Sequence, residues 1–124
     1  MESKSLHNTT ANGARVNVKD IQFWGNGDMF RLISKASSEV EGWMKSTKAM
    51  PAGKNVVLQV TTQQRNPDGS YAIAEALTTV ENSIIIEHIN DEGVVTARSI
   101  ESRYPKDSGL TFRKVRYPYG SSEN

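Results

Sequence analysis

The sequence predicts an α+β fold, mainly an antiparallel β-meander with one short helix packed on the sheet. Two stretches of period-two alternation, each broken by a four-residue turn, predict consecutive hairpins. Such hairpins build antiparallel sheets, because parallel neighbours need long crossovers. The turns are Asn66-Pro67-Asp68-Gly69 and Asn90-Asp91-Glu92-Gly93. The helix comes from a third observation. Ser38 with Glu41 three positions on fits a capping box, and Val40, Trp43, Met44 and Thr47 recur at i, i+3, i+4 and i+7.

In chain order, Val16, Val18, Ile21 and Phe23 fall in an expected first strand, and the GNGD turn at residues 25–28 separates it from a second, MFRLISKAS. The expected helix follows Ser38 and ends at Pro51, with Glu41 and Lys45 in the favourable i, i+4 order and Lys48 on the same face. From Asn55 the period switches to two. Val56, Leu58, Val60, Thr62 and Gln64 oppose Val57, Gln59, Thr61 and Gln63. In the return strand Ala72, Ala74 and Ala76 share a face, a stripe suited to tight packing on the helix or on a neighbouring subunit. Residues 83–89 and VVTARSI form the second hairpin, and LTFRKVRY is a short strand between two proline breaks.

The 124-residue length fits one domain. We expect residues 1–14 to be a flexible leader, 15–119 a single β-rich ligand-binding domain and 120–124 a flexible tail, because the polar ends bury too little to offset ordering entropy. A net charge of +1 removes the electrostatic case for duplex nucleic acid. The absence of cysteine excludes disulfides, thiol nucleophiles and zinc–thiolate sites, and two histidines, His7 and His88, cannot make a histidine-rich metal centre. No apolar run approaches the roughly 20 residues of a membrane span, and the N-terminus has no hydrophobic signal core. The expected location is the cytoplasm, with no membrane partner.

No G-x-S-x-G, H-E-x-x-H, Walker or G-x-G-x-x-G pattern occurs. Glu75, alone in the middle of an apolar-flanked strand, lacks a positioned acid–base partner. His88 lacks metal-ligand spacing. We therefore expect no catalytic residue, no metal ligand, no cofactor and no enzymatic activity. Binding chemistry is better represented. Arg98, Arg103, Lys106, Arg113, Lys114 and Arg116 alternate with Tyr104, Phe112, Tyr117 and Tyr119. Arginine forks suit phosphate and aromatic faces suit bases, although charge runs also serve as plain solvated edges. Lys45-Ser46-Thr47-Lys48 complements a helix C-terminus by default. Beside Thr61, Thr62, Gln63 and Gln64, the same residues could ring a small anionic ligand.

The segments KASSEVEGWMKSTKAM, VVLQVTTQQ and AEALTTV, in that order and spacing, resemble the small phage anti-Thoeris proteins called Tad1 over about residues 34–80. The resemblance implies a sponge that sequesters cyclic ADP-ribose isomers without cleaving them, is multimeric, and in some members takes cyclic oligonucleotides at a separate site. On that reading the diphosphate donors come from Arg103, Arg113, Arg116, Lys45 and Lys48, and the ribose and adenine contacts from Thr61, Thr62 and Gln64. Sequestering a scarce signal needs a Kd near or below micromolar, about 8 kcal/mol. A flat sheet encloses a ligand poorly, so a homo-oligomer with interface pockets is expected, with Trp24, Trp43 and Tyr104 as anchors. Two other readings compete with it: an inhibitor that binds a host protein through an exposed sheet edge, and a small single-stranded nucleic-acid binder using the basic aromatic tail.

Overall fold

The computed structural model describes residues 11–16 and 18–116, and its main content is antiparallel β-sheet. One helical turn, Ala11–Ala14, precedes seven strands: β1 (Arg31–Ser38), β2 (Trp43–Ala52), β3 (Asn55–Arg65), β4 (Tyr71–Val80), β5 (Ser83–Ile89), β6 (Val95–Ser102) and β7 (Phe112–Arg116). They form a four-stranded sheet in the order β1-β2-β3-β4 and a three-stranded sheet in the order β6-β5-β7. The expected leader lies mostly outside the described residues, apart from the helical turn; the expected tail, 120–124, lies wholly outside them, as do Tyr117 and Tyr119 at the end of the expected domain.

The β3–β4 hairpin forms as the alternation predicts, in one unbroken register from Val56 opposite Val80 to Arg65 opposite Tyr71. Its turn closes through Asn66 N–H to the Ser70 carbonyl at 2.7 Å and Gly69 N–H to the Asn66 carbonyl at 3.0 Å, with Gly69 at φ 90°. The β5–β6 hairpin and its turn at residues 90–93 also form, and so does the turn after Trp24.

Three expectations are corrected. The helix after Ser38 is absent, and Trp43–Ala52 is strand β2, paired on both sides. Ser38 Oγ does accept the Glu41 N–H at 3.0 Å, as a helix cap would. The next residue, Gly42, then takes φ 77°, a left-handed conformation that stops a helix and returns the chain as a strand. Ladders to β1 and β3 then outweigh a weak helical period, so Glu41 lies in a loop, Lys45 in a strand, and the expected helix does not form. The expected first strand likewise does not form over residues 18–23: the chain turns at Lys19 and Asp20, and alternation without a partner edge leaves these backbone groups no ladder.

The last strand breaks the meander. β6 ends where β5 begins, and the chain crosses that end to the free edge of β5, so β7 must run parallel to β5. The crossing is tied by a 3₁₀ turn at Pro105–Asp107. β5 therefore becomes a central strand, and the near-continuous burial of Ser83, Ile84, Ile85, Ile86 and Glu87 follows from that position.

The sheets meet at one end only. Ala49, Val56 and Ile85 form the buried centre, with Ile33, Leu58, Ile100 and Phe112 packed around it. Ile85 lies opposite both Ile100 and Phe112, so one cross-strand row of the small sheet meets the large one. A bulge lets Ile33 reach this centre. Arg98 links the layers: its Nε donates to Glu87 at 3.0 Å and its Nη1 to the Leu32 carbonyl at 3.2 Å. Ile85→Ala should lower the unfolding free energy by about 2–5 kcal/mol in a urea titration. Val40→Ala, in the exposed β1–β2 loop, should leave it within about 0.5 kcal/mol.

Candidate functional site

Beyond the covered end, the four-stranded sheet presents two faces whose rows follow from its register. On one face Ser37, Met44, Gln63 and Ile73 lie in a row, and the next row is Lys35, Ser46, Thr61 and Glu75. The opposite face carries Ala36, Lys45, Thr62 and Ala74, then Ser38, Trp43, Gln64 and Ala72. The dense run of threonines and glutamines thus divides, because successive strand residues point to opposite sides. Thr61 and Gln63 share a face with Lys48; Thr62 and Gln64 lie on the other with Lys45.

The first face holds a cleft of about 440 Å³ at its uncovered end, where residues 39–42 turn over the strands. Its walls are Lys35, Ser37 and Ser38 from β1, Trp43 and Met44 from β2, Gln63 and Arg65 from β3, and Tyr71 from β4, with Glu39 and Gly42 from the loop. Met44 is buried and forms an apolar part of the wall. Gln63 Oε1 is buried without a hydrogen-bond partner among the described residues, an acceptor that costs stability unless something donates to it.

The loop is held by the end of β3. Arg65 N–H donates to the Gly42 carbonyl at 2.7 Å, and Arg65 Nη2 donates to the Glu39 carbonyl at 3.3 Å and the Val40 carbonyl at 3.2 Å. Gln64 Nε2 adds a bond to the Glu41 carbonyl at 3.4 Å. The guanidinium can approach this closely because Gly42 has no side chain: a Cβ there would lie 2.8 Å from Arg65 Cβ and 2.9 Å from its Cζ. Cleft chemistry is therefore two cations and the Glu39 carboxylate, hydroxyls, one buried amide oxygen, Trp43 and a half-exposed tyrosine ring.

The eight residues proposed from sequence do not converge. Thr61 is buried beneath the cleft face and its Oγ1 donates to Glu75 at 3.4 Å. Lys48 lies on that same face toward the covered end, while Lys45 Nζ lies 5.9 Å from the Trp43 ring centroid on the other side. Arg103, Arg113 and Arg116 belong to the three-stranded sheet and its connection, and they clamp the chain. Arg113 pairs bidentately with the buried Asp107 and also with Glu101 at 3.3 Å. Arg103 Nη1 donates to the carbonyls of Asp107 and Leu110, and Arg116 Nη1 to those of Asn90 and Asp91. The Arg113 fork is thus taken up by protein acceptors, whereas Arg103 Nε and Nη2 are buried without a hydrogen-bond partner among the described residues. Of the expected anchors, Trp24 is 94% exposed and Tyr104 stacks under Arg113 at 5.1 Å.

Sequence reasoning missed Lys35, Gln63, Arg65 and Tyr71 as a group. The available signal was the period-two phase, which already set Gln63 apart from Thr62 and Gln64; Arg65 and Tyr71 flank the turn and meet only through the hairpin register. Among the described residues no group of three or more His, Asp or Glu side chains is placed to hold a metal ion, and no helix is long and apolar enough to cross a membrane.

A model described as the Lockin family matches residues 1–97. The chain belongs to the Lockin family. No curated protein and no solved structure matches it. The Lockin match spans all of the four-stranded sheet, including every wall of the cleft, and stops before Arg103, Arg113 and Arg116.

Two outcomes follow from these contacts. Arg113, first through its hydrogen bonds, then the Tyr104 N–H, holds the Asp107 carboxyl well below its ordinary pKa of 3.8. A depressed carboxylate stabilises the fold above its unfolded pKa, and that contribution is lost as pH falls through the folded value. Melting temperatures measured from about pH 7 down to about pH 2 should therefore fall steeply below about pH 4, and Asp107→Asn should start lower and show a flatter acid limb. Gly42→Ala should cost about 1–2 kcal/mol from its left-handed backbone and displace Arg65, seen as loss of the Arg65 contacts in a crystal structure of the variant.

Proposed function

We propose that this Lockin-family protein is a non-enzymatic capture protein for a small cyclic nucleotide signal, the sponge role implied by its resemblance to the phage anti-Thoeris proteins. It would act in the cytoplasm of the infected bacterium by holding a cyclic ADP-ribose-type molecule intact. The observation that carries the reading is the cleft itself, where Lys35 and Arg65 stand with Ser37, the unsatisfied Gln63 oxygen and the face of Tyr71. Cations suit a diphosphate, hydroxyls suit ribose, and an amide acceptor beside an aromatic ring suits an adenine amino group and its π face. This assignment moves the site away from Arg113, whose fork is taken up by Asp107, and from Arg103 and Arg116, which lie with it in the three-stranded sheet and its connection. Arg65 stands at the cleft although its Nη2 serves loop carbonyls.

Capture requires no proton transfer, so the cleft needs shape and donors rather than a matched acid and base. Lys35 supplies charge at one wall, and Arg65 supplies charge while closing the loop.

The test is capture followed by release. The protein is incubated with cyclic ADP-ribose isomers, washed and heat-denatured, and the supernatant is analysed by mass spectrometry. Intact cyclic nucleotide is expected, with a rise in melting temperature on binding; a linear or hydrolysed product, or no retention of any isomer, contradicts the reading. Lys35→Ala and Gln63→Leu should each weaken capture by roughly tenfold or more. Gln63→Leu should at the same time raise the melting temperature of the free protein, because it removes a buried acceptor without a partner, whereas Arg116→Ala should leave capture unchanged.

A further inference from the structure

We propose that the outer edge of β4 pairs antiparallel with the same strand of a second copy, with Ala74 opposite the partner's Ala74, to join two four-stranded sheets into one of eight strands. β4 is a sheet edge, and its residues from Tyr71 through Thr79 are exposed on both faces. Soluble proteins protect such edges with proline, bulges or charge. β4 has no proline, its register with β3 has no bulge, and Glu75 is its only charge.

The strand's own order of side chains selects a second copy as the occupant. A two-fold axis normal to the sheet keeps each face on its own side, so only registers that pair odd with odd and even with even residues are allowed. About Ala74, the run Tyr-Ala-Ile-Ala-Glu-Ala-Leu is nearly palindromic in size. Tyr71 then meets the partner's Leu77, Ala72 meets the partner's Ala76, and Ile73 meets the partner's Glu75. The three most exposed apolar groups of β4, Leu77 at 66%, Tyr71 at 49% and Ile73 at 47%, all lie on one face and gain cross-strand neighbours together. Alanines oppose alanines on the other face. A register centred on Glu75 would oppose two carboxylates, and one centred on Ala76 would leave Tyr71 without a mate. An unrelated extended peptide gives no reason for this symmetry.

The pairing also bears on the cleft. Tyr71 lines it, so the partner's Leu77 would stand at its open flank. The proposal rests on the β4 edge and holds whether or not the cleft takes a nucleotide.

The native chain has no cysteine, so a single introduced thiol is an unambiguous probe. Directly opposed residues of an antiparallel pair have Cα atoms about 4.5–5.5 Å apart, within disulfide range. Ala74→Cys should form a covalent dimer under mild oxidation, and Ala76→Cys alone should not. The native chain should sediment at twice the monomer mass, and Ile73→Glu, which sets a second carboxylate opposite the partner's Glu75, together with Leu77→Glu should return it to monomer with its circular dichroism unchanged. A native chain that stays monomeric at all concentrations overturns the proposal. So does a dimer that cross-links through Ala76→Cys but not Ala74→Cys, or a monomer whose β4 edge is occupied by a different protein.

Discussion

A mismatch of length between two packed sheets shapes this molecule. At about 3.3 Å per residue, the eleven residues of β3 span about 36 Å and the seven of β5 about 23 Å. The small sheet therefore covers only the end of the large one that carries Ala49 and Val56, where Ile85 and its row supply the opposing surface. The rest of β2, β3 and β4 is held by hydrogen-bonded ladders and side-chain rows rather than by a second layer. The cleft lies on the face opposite the one the small sheet packs against, since Ala49, Val56 and Leu58 share their face with Lys45 and Thr62 rather than with Met44 and Gln63. The Ile85 contact anchors one end of the four-stranded sheet, and the loop at the other end is tied by Arg65 and Gln64 of β3.

The two halves use arginine for different ends. In the small sheet, Asp107 is buried at a chain crossing, and Arg103 and Arg113 converge around it to hold the connection that lets β7 enter parallel to β5. A buried carboxylate there is tolerable only because the fork and the Tyr104 N–H satisfy it. In the large sheet, Arg65 ties a loop yet remains part of a cleft wall. Arg103, Arg113 and Arg116 thus hold the chain in the small sheet, while the cations of the cleft, Lys35 and Arg65, lie within the segment matched by the Lockin family.

Much of the fold was legible because its signals are local. Asn-Pro-Asp-Gly and Asn-Asp-Glu-Gly mark both hairpins, and the alternation around them sets the phase of each strand. The helix expected after Ser38 was a misreading of a true local signal: the hydroxyl caps the turn, but Gly42 two residues beyond Val40 redirects the chain, and pairing on both edges of β2 decides its state. The parallel β7 depends on where β6 ends, which no window of sequence contains. The candidate site was half legible. Thr61 and Gln63 were noticed as polar strand residues, but grouping them with Thr62 and Gln64 ignored the pleat. Arg113 looked available because Asp107, six positions earlier, meets it only after the chain has turned.

The central claim is that the uncovered end of the four-stranded sheet is the binding half of the molecule. Amide hydrogen exchange with and without cyclic ADP-ribose isomers tests it most directly, since it reads protection along the whole described chain. Added protection confined to residues 35–44 and 63–71, with residues 98–116 unchanged, is the predicted result. Protection gained instead around Arg103, Arg113 and Arg116, with the cleft unaffected, would contradict it.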